Sequence, residues 1–204
     1  PVSRDAAEAL TKTFGAIAER IEGWADYIYD AEALATLSGH RYNKKRNLTN
    51  QFRTLYPDYS YERLDETNAD AAFDFFVRWE KTRGVDAEEA LAHENRKVKD
   101  MLKFPLLGGL IGGVLRVGEA VAALTIGEVI GKTLYTHTER ADTSYKGAYQ
   151  TINAEFAADI LKTHGISEIN REEDTGDLAL RQAKESYFPV RLEEKYRVFF
   201  ASAE

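Results

Sequence analysis

A run of charged side chains stands at the predicted end of a β-strand, in residues 169–177 (INREEDTGD). Neighbouring charges at a sheet edge repel one another unless they are paired or bind a ligand. As a binding site, Glu172 or Asp174 would hold an amino group, while Arg171 would orient a carbonyl or a phosphate beside Asn170. As a structural network, Arg171 would pair with one carboxylate and Asp174 would cap the following helix. Both interpretations stay open at this point.

Lys184 and Tyr187 lie three residues apart in the predicted last helix (AKESY), so their side chains share one helix face. In a catalytic site, Lys184 would stabilise a developing negative charge or a phosphate, and Tyr187 would donate a proton. The alternative for Lys184 is an ordinary surface lysine.

Lys132 opens a predicted strand in which successive side chains alternate between two faces. Tyr135, His137 and Glu139 lie on one of these faces. His137 is a candidate general base or substrate contact, and the alternative is a half-buried, hydrogen-bonded histidine. Glu139 stands near the carboxyl end of this strand, where ligands often bind in sheets with crossover connections.

Two predicted helix starts are candidate anion sites. The first follows the basic run 41–47 (RYNKKRN), where Lys44, Lys45 and Arg46 add positive charge to the helix N-terminus. Its alternative is a solvated helix turn. The second is YKGAY, where Tyr145 and Gly147 would cradle a pyrophosphate, although one glycine is a weak pattern.

The elements that would position these residues centre on residues 120–173, which predict strand, turn, strand, loop, helix and strand. A helix that leaves one strand and feeds another is a crossover connection. The first helix is predicted to carry its apolar face through Ile21 and to end at Gly23, and residues 191–200 predict one closing strand. Helices first, then a meander of strands and one crossover indicate an α+β domain with a mixed sheet flanked by helices.

Composition narrows the class of protein. The chain has 204 residues and no cysteine, so thiolate chemistry is excluded. Its net charge of −7 excludes an overall polyanion-binding surface. Its longest apolar run, which starts at Phe104, is too short to span a bilayer. We therefore expect a cytoplasmic protein or one at the membrane surface, with no metal site.

Several motifs in order resemble the bacterial family of phosphatidylglycerol lysyltransferase C-terminal domains. They are the strand hairpin, YKGAYQTIN, INREEDTG and AKESYFPVRLEEKY, preceded by DYIYD and LSGHRYNKKRN. The resemblance covers residues 27–196. It implies a GNAT-like fold (acyl-CoA N-acyltransferase-like), usually built as two tandem halves. Residues 39–204 would be the C-terminal GNAT-like domain, and residues 1–38 a junction segment from a preceding half that this chain lacks.

The resemblance also implies a site and a reaction. Its polar cluster would be Glu139, Arg171, Glu172, Asp174 and Lys184, lining a tunnel where donor and acceptor meet. Lys44, Lys45 and Arg46 match the family's basic motif, whereas Arg140 stands where a lysine is expected. The implied activity is acyl or aminoacyl transfer.

In that reaction the donor would be an aminoacyl-tRNA or a coenzyme A thioester, and the acceptor a lipid headgroup or a small amine. No further cofactor would be required. Two alternatives stay open: a non-catalytic GNAT-like binding module, and an acyl-CoA-dependent N-acetyltransferase.

Overall fold

The computed structural model describes residues 1–82, 89–103 and 107–200, which form two compact units. The terminal unit consists of Pro1–Asp30 together with the described residues from Asn170 onward, and the central unit is Ala31–Ile169. This partition differs from the two predicted domains, residues 1–38 and 39–204. The origin of residues 1–38 in a preceding GNAT-like half stays a prediction.

Helices and strands are interspersed along the chain. In order, the elements are β1 (Val2–Ser3), α1 (Arg4–Phe14), β2 (Ile17–Arg20), β3 (Asp26–Asp30), α2 (Ala31–Thr36), α3 (Asn43–Leu55), β4 (Tyr59–Arg63), α4 (Ala69–Thr82), α5 (Glu89–Lys103), β5 (Leu110–Val117), β6 (Ala120–Ile130), β7 (Thr133–Ala141), α6 (Ala148–His164), β8 (Glu168–Asn170), α7 (Leu178–Glu185), β9 (Arg191–Glu193) and β10 (Lys195–Phe199). Short 3-10 turns occupy His40–Tyr42 and Leu107–Gly109.

In the terminal unit, α1 begins at a serine cap and ends earlier than predicted. The Ser3 side chain accepts a hydrogen bond from the Ala6 N–H (3.3 Å), and Gly15 ends the helix. The predicted continuation through Ile21 is wrong, because Ile17–Arg20 forms β2. Strand β2 pairs with β10, which also pairs with β1, so a tertiary contact overrides the local helical pattern.

The predicted single closing strand is also wrong, because it is divided at Glu194. Strand β9 pairs antiparallel with β3, whereas β10 pairs with β1 and β2 in a separate sheet. At the break, Glu194 accepts hydrogen bonds from Arg20 (3.0 Å), from Arg4 and from Tyr196 (2.9 Å). These hydrogen bonds stabilise the chain at Glu194, between β9, which pairs with β3, and β10, which pairs with β1 and β2.

The central unit contains the predicted meander and crossover. Its strands lie in the order β4-β5-β6-β7-β8, and β4 to β7 pair antiparallel. Gly131 makes the turn between β6 and β7, and α6 connects β7 to β8. Strand β7 alternates as predicted, with Leu134, Thr136 and Thr138 buried.

Helices cover both faces of this sheet. Val114 on β5 belongs to a core cluster with α4 and α5 residues, including Phe76 and Leu102. The adjacent Leu115 belongs to a second cluster with Phe52 of α3 and with α6 residues. Because successive strand residues point to opposite faces, the two clusters lie on opposite sides of the sheet. The predicted class, an α+β fold with a mixed sheet flanked by helices, is confirmed.

Candidate functional site

The charged segment after β8 lies alongside β3 in the terminal unit. The Arg171 N–H donates to the Tyr27 carbonyl (3.0 Å), and the Tyr27 N–H donates to the Glu172 carbonyl (3.2 Å). Glu172 has a left-handed φ of 57°, which is uncommon for a residue other than glycine. Such backbone conformations persist where surrounding contacts hold them, and they cluster at functional sites.

Lys184 is the buried cation of this region, with 7% of its surface exposed. Its ammonium group donates to the Glu172 carbonyl (3.0 Å) and to the Arg171 carbonyl, and it lies 5.7 Å from the centre of the Tyr27 ring. Burial and the nearby Arg171 guanidinium lower the pKa of Lys184 from 10.5 to about 8. Lys184 is therefore not a surface lysine.

Arg171 lies against two aromatic rings. Its guanidinium carbon is 4.9 Å from the centre of the Tyr187 ring and 5.8 Å from that of Tyr29. The Tyr29 hydroxyl donates to the Lys184 carbonyl (2.9 Å), so the same tyrosine contacts both cationic residues. The structure therefore brings together Arg171, Lys184 and Tyr187, which the sequence had singled out.

Asp174 forms a buried network beside Lys184. Its carboxylate accepts hydrogen bonds from the Tyr27 hydroxyl (2.6 Å), the Arg181 guanidinium (2.7 and 3.2 Å) and the Gly176 N–H (2.8 Å). The Arg181 contact holds the pKa of Asp174 well below its usual value, while burial and the Asp174 carboxylate raise the pKa of Tyr27 to about 12. The prediction that Asp174 caps α7 is wrong, because Asp177 caps that helix.

Asn170 fixes the start of the same segment. Its side-chain amide donates to Asp26 (2.9 Å), and its carbonyl oxygen accepts from the Glu172 N–H (2.7 Å). Lys195 bridges Asp26 (2.7 Å) and Glu173 (2.6 Å). These contacts hold the turn in which Glu172 adopts its left-handed conformation.

The remaining predicted site residues lie in the central unit. Glu139 accepts a hydrogen bond from the Asn153 side chain of α6 (3.1 Å), and His137 lies 3.1 Å from the Glu128 carboxylate. His137 is thus a half-buried, hydrogen-bonded histidine. The functional roles predicted for Glu139 and His137 stay predictions.

The basic run divides into a structural and a surface part. Arg46 donates to the carbonyls of Leu37 (2.6 Å) and Gly39 (3.2 Å) and to the Asn43 side chain, so it fastens the loop before α3. Lys44 is exposed and Lys45 is half-buried. Their role as substrate contacts stays a prediction.

Gly147 stands where α6 begins against α3, with a left-handed φ of 90°. A Cβ atom at this position would lie 2.3 Å from the Leu48 carbonyl oxygen. Tyr145 packs its ring 5.3 Å from that of Tyr56. Close helix packing therefore explains the glycine without a pyrophosphate, and the cradle formed by Tyr145 and Gly147 stays a prediction.

Gly147→Ala should lower the free energy of unfolding by about 2–3 kcal/mol, because the new methyl group meets backbone and the residue keeps a strained φ. Urea denaturation measures this change. Gly108→Ala is the matched control, since Gly108 has a φ of 72° and, among the described residues beyond its chain neighbours, no atom lies within 4 Å of the added Cβ. Equal stability losses in both variants would show that φ strain, and not the α3 contact, requires Gly147.

Tyr27, Tyr29 and Arg181 of the candidate site escaped the sequence interpretation. The first two are two residues apart in β3, so their side chains point to the same face, and both rings lie near the cations. The alternating pattern of residues 26–30 (DYIYD) was the signal in the sequence that could have pointed to these two tyrosines. Nothing local indicated that residues about 150 positions later would supply Arg171 and Lys184.

The fold of this chain is of the GNAT type. A tandem GNAT protein from the clavulanic acid biosynthesis pathway shares the fold with a TM-score of 0.51 at 9% identity, over 100% of this chain and 61% of that one. The L-PGS structure from Bacillus licheniformis is more similar in shape. Its TM-score is 0.68 at 15% identity, over 99% of this chain and 67% of that chain.

The chain belongs to the family described as phosphatidylglycerol lysyltransferase, C-terminal, which matches residues 1–199. A conserved protein of unknown function from Bacteroides thetaiotaomicron VPI-5482 is 40% identical with a TM-score of 0.86, over 97% of this chain and 66% of that chain. An uncharacterized protein of Mycoplasmoides gallisepticum is 22% identical over 182 residues, which are 87% of this chain and 56% of that protein. The chain thus spans a half to two thirds of these relatives.

Within the described ranges, no helix combines the length and the apolar character that crossing a bilayer requires.

Proposed function

We propose that this chain is a GNAT-fold aminoacyl transferase, which moves an amino acid from an aminoacyl-tRNA to an acceptor hydroxyl or amine. The acceptor oxygen or nitrogen attacks the ester carbonyl carbon, and a new C–O or C–N bond forms. The bond to the ribose oxygen of the tRNA breaks, and the proton lost by the acceptor ends on that oxygen. No covalent enzyme intermediate is needed, which suits a chain without cysteine.

The observation that carries this proposal is the buried Lys184 ammonium beside Arg171. An ammonium has three N–H donors, and among the described residues two of them contact the Arg171 and Glu172 carbonyls. In this proposal the third donates to an oxygen that gains negative charge during transfer. A fixed cation in a water-poor site stabilises such charge strongly, and this is usually the largest contribution to catalysis.

Membership of the phosphatidylglycerol lysyltransferase C-terminal family supports an amino-acid donor over an acetyl donor. A non-catalytic binding module is the second candidate, because Asp174, which the sequence predicted to bind an amino group, already accepts hydrogen bonds from Tyr27, Arg181 and the Gly176 N–H.

The test supplies the 204-residue chain with a tRNA pool charged with a radiolabelled amino-acid mixture. Acceptors are phosphatidylglycerol vesicles in one arm and a panel of small amines in the other, with radiolabelled acetyl-CoA as a parallel donor. We expect label to pass from tRNA to one acceptor class. Label from acetyl-CoA alone would instead identify an acetyltransferase. Binding of charged tRNA without transfer to either acceptor would identify a binding module.

A further inference from the structure

We infer that Tyr187 is a positioning residue whose aromatic ring, and not its hydroxyl group, is required. In this inference, which rests on the proposed transferase function, Tyr187 and Tyr29 form a tyrosine clamp that holds the Arg171 guanidinium in place. The inference differs from the prediction that Tyr187 donates a proton.

The distances and the burial favour a role for the ring. The Arg171 guanidinium carbon lies 4.9 Å from the Tyr187 ring centre and 5.8 Å from the Tyr29 ring centre, within the range of cation–π contact. Tyr187 is only 5% exposed and Tyr29 is fully buried. Both rings are therefore fixed, and water competes little for the guanidinium face.

The clamp also connects the two cations. The Tyr29 hydroxyl donates to the carbonyl of Lys184 (2.9 Å), and the Lys184 ammonium donates to the carbonyl of Arg171. The Tyr187 N–H donates to the Lys184 carbonyl as well (3.1 Å). A displacement of either ring would thus move both charges that the proposed reaction uses.

Preorganisation is the physical benefit. A free arginine side chain samples many rotamers, and ordering it at the moment of binding costs entropy. A guanidinium already stacked on two rings meets an anionic or carbonyl oxygen without that cost. Misplacement of a positioning group by about 1 Å can lower rates on the order of 100-fold.

The first measurement is independent of activity. The Nε–Hε resonance of Arg171 is assigned by its disappearance in Arg171→Lys, and ring currents should shift it upfield in the wild type. We expect the shift to persist in Tyr187→Phe and to be mostly lost in Tyr187→Leu. Tyr187→Met, which also lacks a ring, serves if the leucine variant does not fold. Tyr149→Leu, a half-buried tyrosine of α6, should leave the resonance in place.

The second measurement is the transfer rate of the same variants. Tyr187→Phe should keep the rate within about 2-fold, and Tyr187→Leu should lose roughly 10- to 100-fold, mainly in kcat. A phenylalanine variant as slow as the leucine variant, with the Arg171 resonance unchanged, would assign the chemistry to the hydroxyl and overturn the inference. An unchanged Arg171 resonance in both ring-free variants would also overturn it. If the wild type transfers nothing, the proposed function fails, while the resonances still decide whether the clamp exists.

Discussion

Lys184→Met should lower kcat/KM for transfer by about 10²- to 10³-fold, because it removes the buried positive charge while keeping an unbranched side chain that is one atom shorter. We expect the fold to survive this substitution. Methionine avoids the desolvation that lowers the pKa of Lys184 to about 8, but it removes the Lys184 hydrogen bonds to the Arg171 and Glu172 carbonyls, while the Glu172 carbonyl keeps the Tyr27 N–H as a donor. These two effects oppose each other, so stability should change by less than about 2 kcal/mol.

The pH dependence gives the same prediction a second readout. If the ammonium is the active form, the wild-type rate should fall above about pH 8, where Lys184 loses its proton. Because the folded pKa lies below the unfolded value, the unfolded state binds more protons between the two, and the unfolding free energy should rise with pH there. Lys184→Met should lack both effects.

Lys162→Met is the matched control, since Lys162 is an exposed lysine of α6. It should retain the wild-type rate and the fall above pH 8. A Lys184→Met variant that is folded and fully active would exclude Lys184 from the reaction.

Asp174→Asn should lower the free energy of unfolding by about 2–4 kcal/mol, the largest stability effect that we expect. The carboxylate is 2% exposed and holds Tyr27, Arg181 and the Gly176 N–H together. Breaking a fully buried ion pair costs about 3–5 kcal/mol, and we expect less because the Arg181 side chain is 37% exposed. The corresponding fall in Tm is roughly 5–15 °C.

The effect of Asp174→Asn should depend on pH in a defined direction. The folded pKa of Asp174 is depressed, so its stabilisation is present above the unfolded pKa of about 4 and is lost as pH falls toward the folded value. The stability difference between wild type and variant should therefore shrink at acidic pH. Chemical denaturation at pH 7, 4 and 3 measures it.

Asp177→Asn is the control, because asparagine caps helices about as well as aspartate does. It should change stability by less than about 0.5 kcal/mol. If Asp174→Asn lowers the free energy of unfolding at pH 7 by no more than Asp177→Asn does, the Asp174 network is not a major source of stability.

Elements with strong local signals were predictable from the sequence. The alternation in β7, the turn at Gly131, the apolar stripe of α6 and its end at Gly165 all appear in the structure. So does the clustering of Arg171 with Lys184, since a charged strand end and a following short helix are close in sequence. The family resemblance, carried by motifs along most of the chain, was also confirmed.

Tertiary structure alone decided the pairing of distant segments. Whether residues 17–20 continue a helix or form β2 depends on β10, which lies far along the chain and offers a strand edge. The division of the closing strand at Glu194 likewise depends on Arg4 and Arg20. Local sequence patterns contain no information about such partners, because the contacts form only when the two ends of the chain meet.

The sequence by itself determined the fold class, most of the elements and the residue types of the candidate site. Only the tertiary structure decided what those residues do to one another. In that structure the Lys184 ammonium donates to backbone carbonyls, and the Asp174 carboxylate accepts hydrogen bonds from Tyr27 and Arg181. The Arg171 guanidinium lies over two tyrosine rings. The reason is that burial and long-range contact, and not residue type, determine which charges are paired and how strongly their pKa values shift.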